Sequence, residues 1–513
     1  MKPIRLMAGF FTVGIWTLLS RVLGFVREVL LLSLIGPGPV MDAFVAAFRL
    51  PNMFRRFFAE GAFNAAFVPM FAKKYEGEDG AKAFAQDAFN GLGLVVLALT
   101  GIAMVFMPGF VWLTAEGFSD DARFDLTVGY GRIVFPYIVC MSLSALFSGI
   151  LNATGRFAVA AAAPVLLNIF VIAAMTIGAL TGGAVVSWLI WSIPVAGIAQ
   201  LALTWRAAAG AGFSLRPARP HWTPDMRAMV VVALPAALAS GVMQINLVVG
   251  QLVASQYDKA VSWLFAADRL YQLPLGVVGI AVGVVLLPDL SRRLRAGDED
   301  GAHRTLSRAA EISLALTIPS AVALMVVPFT LVSVLFERGA SDVDDTAAIA
   351  TAVLIYGLGL PAFVLQKILQ PVYFAREDTR RPFYFALVAM VINAALAVGL
   401  APFIGWIAPA IATTVAGWAM FFCLAIGARR YGTAAKFDAR FHGRIWRILA
   451  ASIVMGAALW MTNVVLQPVF GVPWWRVLGL LTLIATGAVW YFGIGHLIGA
   501  FKLSEFRNVL RRG

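Results

Sequence analysis

The sequence predicts an all-α, polytopic integral membrane protein of about 14 transmembrane helices, and three observations carry that prediction. Hydrophobic residues fill 61% of the 513 positions and charged residues only 13%, with a mean hydropathy of +0.85. A soluble domain runs nearer about 45–50% apolar and about 25% charged, because its surface must be wetted. The apolar residues also come in long runs, near 9–35, 41–72, 83–107, 126–153, 159–181, 184–205, 228–256, 260–290, 305–336, 346–375, 382–400, 405–428, 447–466 and 474–500. Such runs match the roughly 20 residues that carry a helix across a hydrocarbon core. Finally, most cations sit in the short segments between runs, and mainly on one side of the membrane.

That side bias sets the topology. Lys73, Lys74, Lys82, Arg156, Arg206, Arg216, Arg219, Arg292, Arg293, Arg295, Arg376, Arg380, Arg381, Arg429, Arg430 and Arg440 fall on the side of the N-terminus. Arg123, Lys259, Arg338 and Arg476 fall on the other. The positive-inside rule then makes both termini cytoplasmic. The net charge of +13 is spread over these segments and forms no single stripe, which excludes a nucleic-acid partner. Arg21 and Arg27 follow the first apolar stretch without a small-residue cleavage site, so that stretch is a retained span.

Several chemistries are absent. Cys140 and Cys423 lie inside apolar runs, and His221, His303, His442 and His496 are scattered, so no disulfide framework, metal site or cofactor is indicated. No Gly-Lys dipeptide occurs, so there is no Walker A loop. The outer loops are short, the longest about Pro108–Asp125, with no extracytoplasmic domain to build an enzyme site.

The chain also repeats. Pro136, Thr154, Arg156 and Asn168 recur at one constant offset as Pro361, Thr379, Arg381 and Asn393. Ala47-Phe48-Arg49-Leu50 is echoed by Ala267-Asp268-Arg269-Leu270, each followed by a proline and then a basic pair. These echoes divide the chain into a first six-helix lobe, 1–215, a parallel second lobe, 216–440, and two added helices in 441–513 that end in a basic tail. Repeats of this kind in transporters place the substrate site in a central cavity.

The informative residues are charges that spanning helices should not contain: Arg21, Arg27 and Glu28 in the first; Asp42, Arg49, Arg55, Arg56 and Glu60 in the second; Asp268 and Arg269 in the eighth; Lys367 in the tenth. A cation at mid-helix costs about 2.5–3.5 kcal/mol on insertion scales, so such residues face water or a partner. Asp42, Arg49 and Arg56 repeat every seven positions, which keeps them in one stripe, with Glu60 one turn beyond Arg56. Arg21 and Glu28 share a face of the first helix, with Arg27 to one side. Converging guanidinium forks suit a diphosphate, since each donates two parallel hydrogen bonds and stays charged. Interhelical ion pairs by Arg55, Arg56 and Glu60, or snorkelling of Arg21 and Arg27, are the structural alternatives. Asp268-Arg269 fits substrate binding, gating or local pairing equally. Pro51 interrupts the second helix, Gly36-Pro37-Gly38-Pro39 forms a sharp outer turn, and Pro274 and Gly276 mark the eighth.

Ser20-Arg21-Val22-Leu23-Gly24-Phe25-Val26-Arg27-Glu28, Asp42-Ala43-Phe44, Arg49-Leu50-Pro51-Asn52-Met53-Phe54-Arg55-Arg56-Phe57-Phe58-Ala59-Glu60-Gly61 and Ala266-Ala267-Asp268-Arg269-Leu270 resemble the motifs of the MurJ/MviN lipid II flippase family, and the likeness covers essentially the whole chain. The resemblance implies a transporter, not an enzyme, of the multidrug/oligosaccharidyl-lipid/polysaccharide exporter superfamily in the bacterial inner membrane. It would move lipid II, the undecaprenyl-diphosphate-linked disaccharide peptide, to the periplasmic leaflet by alternating access, in support of the cell wall. Arg21, Arg27, Arg55 and Arg269 would bind the diphosphate and sugar, while Asp42, Arg49, Arg56, Glu60 and Asp268 gate or support. Helices 13 and 14 would hold the lipid tail against membrane lipids, and the protein would act as a monomer beside the cell-wall synthesis machinery. A flippase for another polyprenyl-diphosphate glycan needs the same grip, and a membrane glycosyltransferase is the enzyme alternative.

Overall fold

A computed structural model describes residues 3–55, 62–77, 80–281, 286–472 and 474–501. Arg56, Glu60 and the basic C-terminal tail lie outside them. The described residues form α-helices and short 3-10 turns and contain no strand. An α-helix satisfies each backbone N–H and C=O within its own segment, which hydrocarbon demands.

Contacts divide the chain into two compact units, Met1–Ser262 and Trp263–Gly513. The first holds α1 (Pro3–Leu34), α2 (Pro39–Arg55), α3 (Ala62–Glu76), α4 (Ala81–Val105), α5 (Met107–Thr114), α6 (Ala122–Val134), α7 (Tyr137–Ala153), α8 (Phe157–Leu180), α9 (Val185–Ala209) and α10 (Pro224–Ser255). After α11 (Ala260–Ala281), whose first turn closes that unit, the second holds α12 (Leu287–Arg295), α13 (Glu299–Val326), α14 (Pro328–Phe336), α15 (Val343–Phe374), α16 (Arg380–Ile404), α17 (Ala408–Ala428), α18 (Ala439–Val465), α19 (Gln467–Phe470) and α20 (Arg476–Leu497). This division follows contact rather than repeat. Helix α10 packs on α3 and therefore belongs to the first unit, although the sequence repeat begins anew before it.

Among the described residues, nine helical stretches are long and apolar enough to cross a membrane. The expected eleventh and twelfth spans fall together in one of them, Arg380–Tyr431, and the expected fourth is α6 and α7 in tandem, Ala122–Ala153. The described residues of the expected first, second, seventh and eighth spans are mostly helical, but none of these spans falls in that set.

Local chemistry sets the breaks. Gly36 sits at φ +70°, a conformation glycine adopts without penalty, and Pro39 then opens α2. Pro51 does not break α2, which continues to Arg55. Asn52 donates its side-chain amide to the Phe48 carbonyl at 2.8 Å, adding a donor to the turn that proline leaves one short. The stretch expected as the longest outer loop is also largely ordered helix. Pro108 starts α5, a proline-tolerant first turn, and Glu116–Phe118 adds a 3-10 turn. Pro328 likewise splits the expected 305–336 span into α13 and α14. The repeated residues occupy matching places. Thr154 and Thr379 flank turns between helices, and Asn168 and Asn393 are buried in α8 and α16.

Each unit packs around its own cores. In the first, Phe63, Phe67 and Phe71 stack ring on ring up α3 at 5.3 and 5.5 Å, and Phe67 also stacks on Phe84 of α4 at 5.6 Å. In the second, Ile368, Leu369, Val372 and Tyr373 of α15 pack with Leu424 of α17 and Leu306 and Ala310 of α13. Lipid offers no hydrophobic drive for helices to associate, so fit between such surfaces carries the packing. Phe67 has no exposed surface. Phe67→Ala is therefore expected to cost about 3–5 kcal/mol by leaving a cavity, read as a lowered unfolding midpoint of the purified protein in detergent. An unchanged midpoint would mean that the neighbouring rings collapse into the space.

Candidate functional site

In the first unit, α1 carries its charges on a helix pressed along α8. Arg27, mostly buried, sends Nη2 to Glu28 Oε1 at 2.5 Å and donates Nη1 to Asn168 Oδ1 at 3.0 Å. Asn168 in turn donates Nδ2 to the Ser20 carbonyl at 3.0 Å, so one amide of α8 braces both the guanidinium and the backbone of α1. Gly24 lies against this amide, and an added Cβ would stand 3.8 Å from it, an ordinary contact distance. Glu28 thus engages its sequence neighbour Arg27. Arg21 is exposed and forms no ion pair with a described residue. Tyr137, fully sequestered, donates to Gln200 Oε1 at 3.1 Å, and Gln200 donates Nε2 to the Ala163 carbonyl at 2.9 Å. The Tyr137 hydroxyl lies within electrostatic reach of both Arg55 and Arg27, which brings the ends of α1 and α2 charges to one neighbourhood.

Asp42 stands apart from those arginines. It has no exposed surface. Oδ1 accepts from the Ser262 backbone N–H at 2.8 Å and from the Ser262 hydroxyl, while Oδ2 faces Arg123 Nη1 at 3.6 Å. Arg123, only 5% exposed, also reaches Asp121 at 2.6 Å and Asp258 at 3.5 Å, and lies 4.5 Å over the Phe118 ring. The Gly117 amide donates to Ser255 Oγ at 3.1 Å. A Cβ on Gly117 would come within 2.5 Å of the Ser255 and Gln256 backbone, so only glycine permits that approach. Asp121 caps α6 by accepting from the Arg123 N–H at 2.7 Å. Burial pushes the Asp121 carboxyl up, but the hydrogen bonds and charge of Arg123 outweigh it and hold it below the usual carboxylate range.

In the second unit, Asp268 accepts from Gln272 Nε2 one turn along α11, and the Arg269 guanidinium lies 4.4 Å over the Phe265 ring. Tyr271, beside them, packs its ring at a tilt against Tyr356 at 4.9 Å and Phe363 at 5.5 Å. Trp263 donates Nε1 to Asp345 Oδ1 at 2.9 Å, and Asp345 completes a capping box with Asp342 at the start of α15. Arg49, Asp268 and Arg269 are partly buried, and Lys367 is exposed.

A family model for the lipid II flippase MurJ matches residues 31–480. The chain belongs to the lipid II flippase MurJ family. It is 43% identical to a probable lipid II flippase MurJ of Rhizobium tropici, over 99% of this chain and 97% of that one. It is 32% identical to a lipid II flippase MurJ of Burkholderia cenocepacia, over 98% and 99% of the two chains. Among solved structures, a lipid II flippase MurJ in an inward closed conformation superposes with a TM-score of 0.79 at 25% identity, covering 97% of this chain and 99% of that one. An inward-facing multidrug resistance MATE transporter of the MOP superfamily matches at a TM-score of 0.67 and 14% identity, over 82% of this chain and 96% of that one, and at that identity shares the fold alone. The chain is a multi-pass bacterial membrane protein of a family of transporters rather than enzymes.

For this MurJ family member, reading the sequence alone did not single out Arg123, Ser262, Tyr137 or Gln200 as partners of the intramembrane charges. Asn168 did carry a signal, since it is one of the repeated positions. Arg123 carried a weaker one, as one of few cations on the sparsely charged side. Arg123→Ala is expected to cost about 3–5 kcal/mol, because it strands the buried Asp42 carboxylate, and Asp121→Ala about 0.5–2 kcal/mol through loss of the cap. Unfolding midpoints in detergent check both, and equal losses would contradict the ranking. Acid acts on the Asp121 cap in a defined direction: its contribution is complete above the usual carboxylate range and fades only as pH falls through the lowered folded-state value.

Proposed function

We propose that this chain moves lipid II from the cytoplasmic to the periplasmic leaflet of the inner membrane, and that Arg21, Arg27, Arg55 and Arg269 grip its diphosphate and sugar. The observation that supports this reading most is Arg27. Its guanidinium sits in α1, oriented by Glu28 and Asn168, and the buried Tyr137 hydroxyl lies within electrostatic reach of both it and Arg55. An oriented fork of this kind can present donors to a diphosphate without losing much side-chain freedom on binding. Arg21, with no ion pair among the described residues, is available to a ligand as well.

The supporting roles proposed from the motifs are Asp42, Arg49, Arg56, Glu60 and Asp268. The two lobes, 1–215 and 216–440, alternate between states open to each side, and α18 and α20 hold the polyprenyl tail. The chain works as a monomer with both termini cytoplasmic, an orientation supported by the basic segments between helices. Returning an emptied cationic site across the membrane potential is worth about 2.3 kcal/mol per charge per 100 mV, which can drive the reset without nucleotide hydrolysis.

The test is the leaflet distribution of lipid II in cells depleted of the protein and complemented at matched membrane abundance. Wild type is expected to restore outer-leaflet lipid II. Arg27→Ala and Arg269→Ala are expected to lower its rate of appearance about tenfold or more, the loss of one or more charge-assisted hydrogen bonds. Full rescue by both variants would return these arginines to a structural role. A normal distribution after depletion, in cells without a second flippase, would remove the substrate assignment.

A further inference from the structure

Each unit holds the segment that follows its repeat's sixth helix by the same device. In the first, residues 213–223 lie outside any helix and join α9 to α10 along the side of α4. Gln86 donates Nε2 to the Arg216 carbonyl at 2.6 Å and accepts from the Arg216 N–H at 3.1 Å, so one side-chain amide answers both backbone groups of one residue. One turn along α4, Asn90 Oδ1 accepts from the Ala218 N–H at 3.1 Å. Trp205 of α9 donates Nε1 to the Leu215 carbonyl at 3.1 Å. Phe213 and Leu215 are buried in the core that holds Phe71, Phe84 and Phe89, and Pro217 and Pro220 stiffen the strap beyond them. In the second unit the segment after α17 makes two 3-10 turns, Arg429–Tyr431 and Thr433–Ala435, before α18. His303 Nδ1 lies 2.8 Å from the Lys436 carbonyl, a contact that puts the proton on that nitrogen. One turn along α13, Ser307 Oγ accepts from the Asp438 N–H at 2.9 Å. Helices α4 and α13 stand third in their repeats, and in both the first side chain meets a carbonyl while the one a turn later meets the N–H two residues on. The residue types differ, glutamine and asparagine against histidine and serine, so the match shows only in the fold.

Each strap delivers the helix that follows it, already docked at its first turns. Thr223 caps α10 by accepting from the Met226 N–H at 3.4 Å, and Asp225 pairs with Lys74 of α3 at 2.9 Å. Met226 and Met229 enter the same phenylalanine core, and the Met226 methyl lies 2.9 Å from where a Cβ on Gly91 of α4 would stand. Asp438 caps α18 by accepting from the Phe441 N–H at 2.7 Å and pairs with Arg308 of α13 at 3.1 Å. Arg440 and Arg444 of α18 both turn to the buried Glu311 of α13, and Phe441 packs with Leu306 and Ala310. Hydrogen bonds to backbone, an ion pair and apolar burial thus coincide at the start of each helix.

We propose that the two straps decide which helices travel together as the lobes alternate: the first turns of α10 ride with the first lobe, and α18 rides with the second, each a seventh helix tied to six. The inference rests on the alternation proposed above, and it carries the mechanical edge of the first lobe beyond residue 215. Gln86, Asn90, His303 and Ser307 are positioning residues, acting through the backbone they hold.

The experiment ties the start of α10 down covalently. In the full chain carrying Cys140→Ala and Cys423→Ala, Lys74→Cys/Asp225→Cys is joined by a short, reducible bifunctional thiol reagent, and lipid II translocation is followed in reconstituted vesicles. The cross-linked protein is expected to translocate as fast as the uncross-linked one, because the two positions do not part during the cycle. Gln86→Ala/Asn90→Ala, which removes three hydrogen bonds to the strap, is expected to slow translocation about threefold or more, and the cross-link is expected to restore it. Hydrogen exchange without substrate reads the straps alone: the Arg216 and Ala218 amides are expected to be slow in wild type and about tenfold faster or more in that double variant, and the Asp438 amide to be freed by Ser307→Ala only. A cross-link that does not form, one that arrests transport until reduced, one that leaves the double variant slow, or fast exchange at these amides in wild type would each overturn the proposal. A wild type that moves no lipid II would instead overturn the flippase reading, and the exchange rates would still decide the straps.

Discussion

A carboxylate with no exposed surface, Asp42, constrains much of the first unit. An isolated charge in an apolar surrounding costs several kcal/mol, so the carboxylate needs donors and a counter-charge. Ser262 supplies two donors and Arg123 the cation. Arg123 is then itself a buried charge, which Asp121, Asp258 and the Phe118 ring answer. One buried group on α2 thereby recruits the start of α6, the 3-10 turn before it and the segment from Ser255 to Ser262. Asp42 and Ser262 stand 220 positions apart, the offset that also relates Arg49 to Arg269, so the contact joins corresponding positions of the sequence repeat.

The arginines of α1 and α2 obey a different logic. Arg27 is oriented by two side chains and carries a carboxylate beside it, yet among the described residues no shell of counter-charges encloses it as one encloses Arg123. A cation answered on every side holds structure, and a cation oriented but less fully answered is free to serve a ligand. The separation is visible along α2 itself, whose buried first turn carries Asp42 and whose other described end carries Arg55 near Tyr137.

Much of the fold was legible in the sequence because lipid leaves so few solutions: apolar runs of spanning length, basic segments between them, and glycine and proline at the breaks. Asn168 and Asn393 show how far the repeat could be read, since both are buried at matching places in α8 and α16. Proline was the least reliable guide. Pro51 sits inside a continuous helix, as do Pro164, Pro194 and Pro361, whereas Pro108 and Pro328 stand in the first turns of new ones. Partners distant in sequence were not legible. Nothing in the spacing of Asp42 announces Arg123 or Ser262, and Tyr137 and Gln200 look like ordinary residues of apolar helices until the fold brings them beside Arg27 and Arg55.

The central claim is that this chain itself carries lipid II across a bilayer through oriented arginines. Reconstitution tests it most directly: vesicles holding fluorescent lipid II, a membrane-impermeant quencher outside, and either wild type or Arg27→Lys at equal density. The Arg27→Lys variant keeps the charge but loses the planar fork that Glu28 and Asn168 orient. The account predicts rapid loss of the protected fluorescence with wild type and a clear slowing with Arg27→Lys. Equal rates in the two, or no translocation above protein-free vesicles, would contradict it.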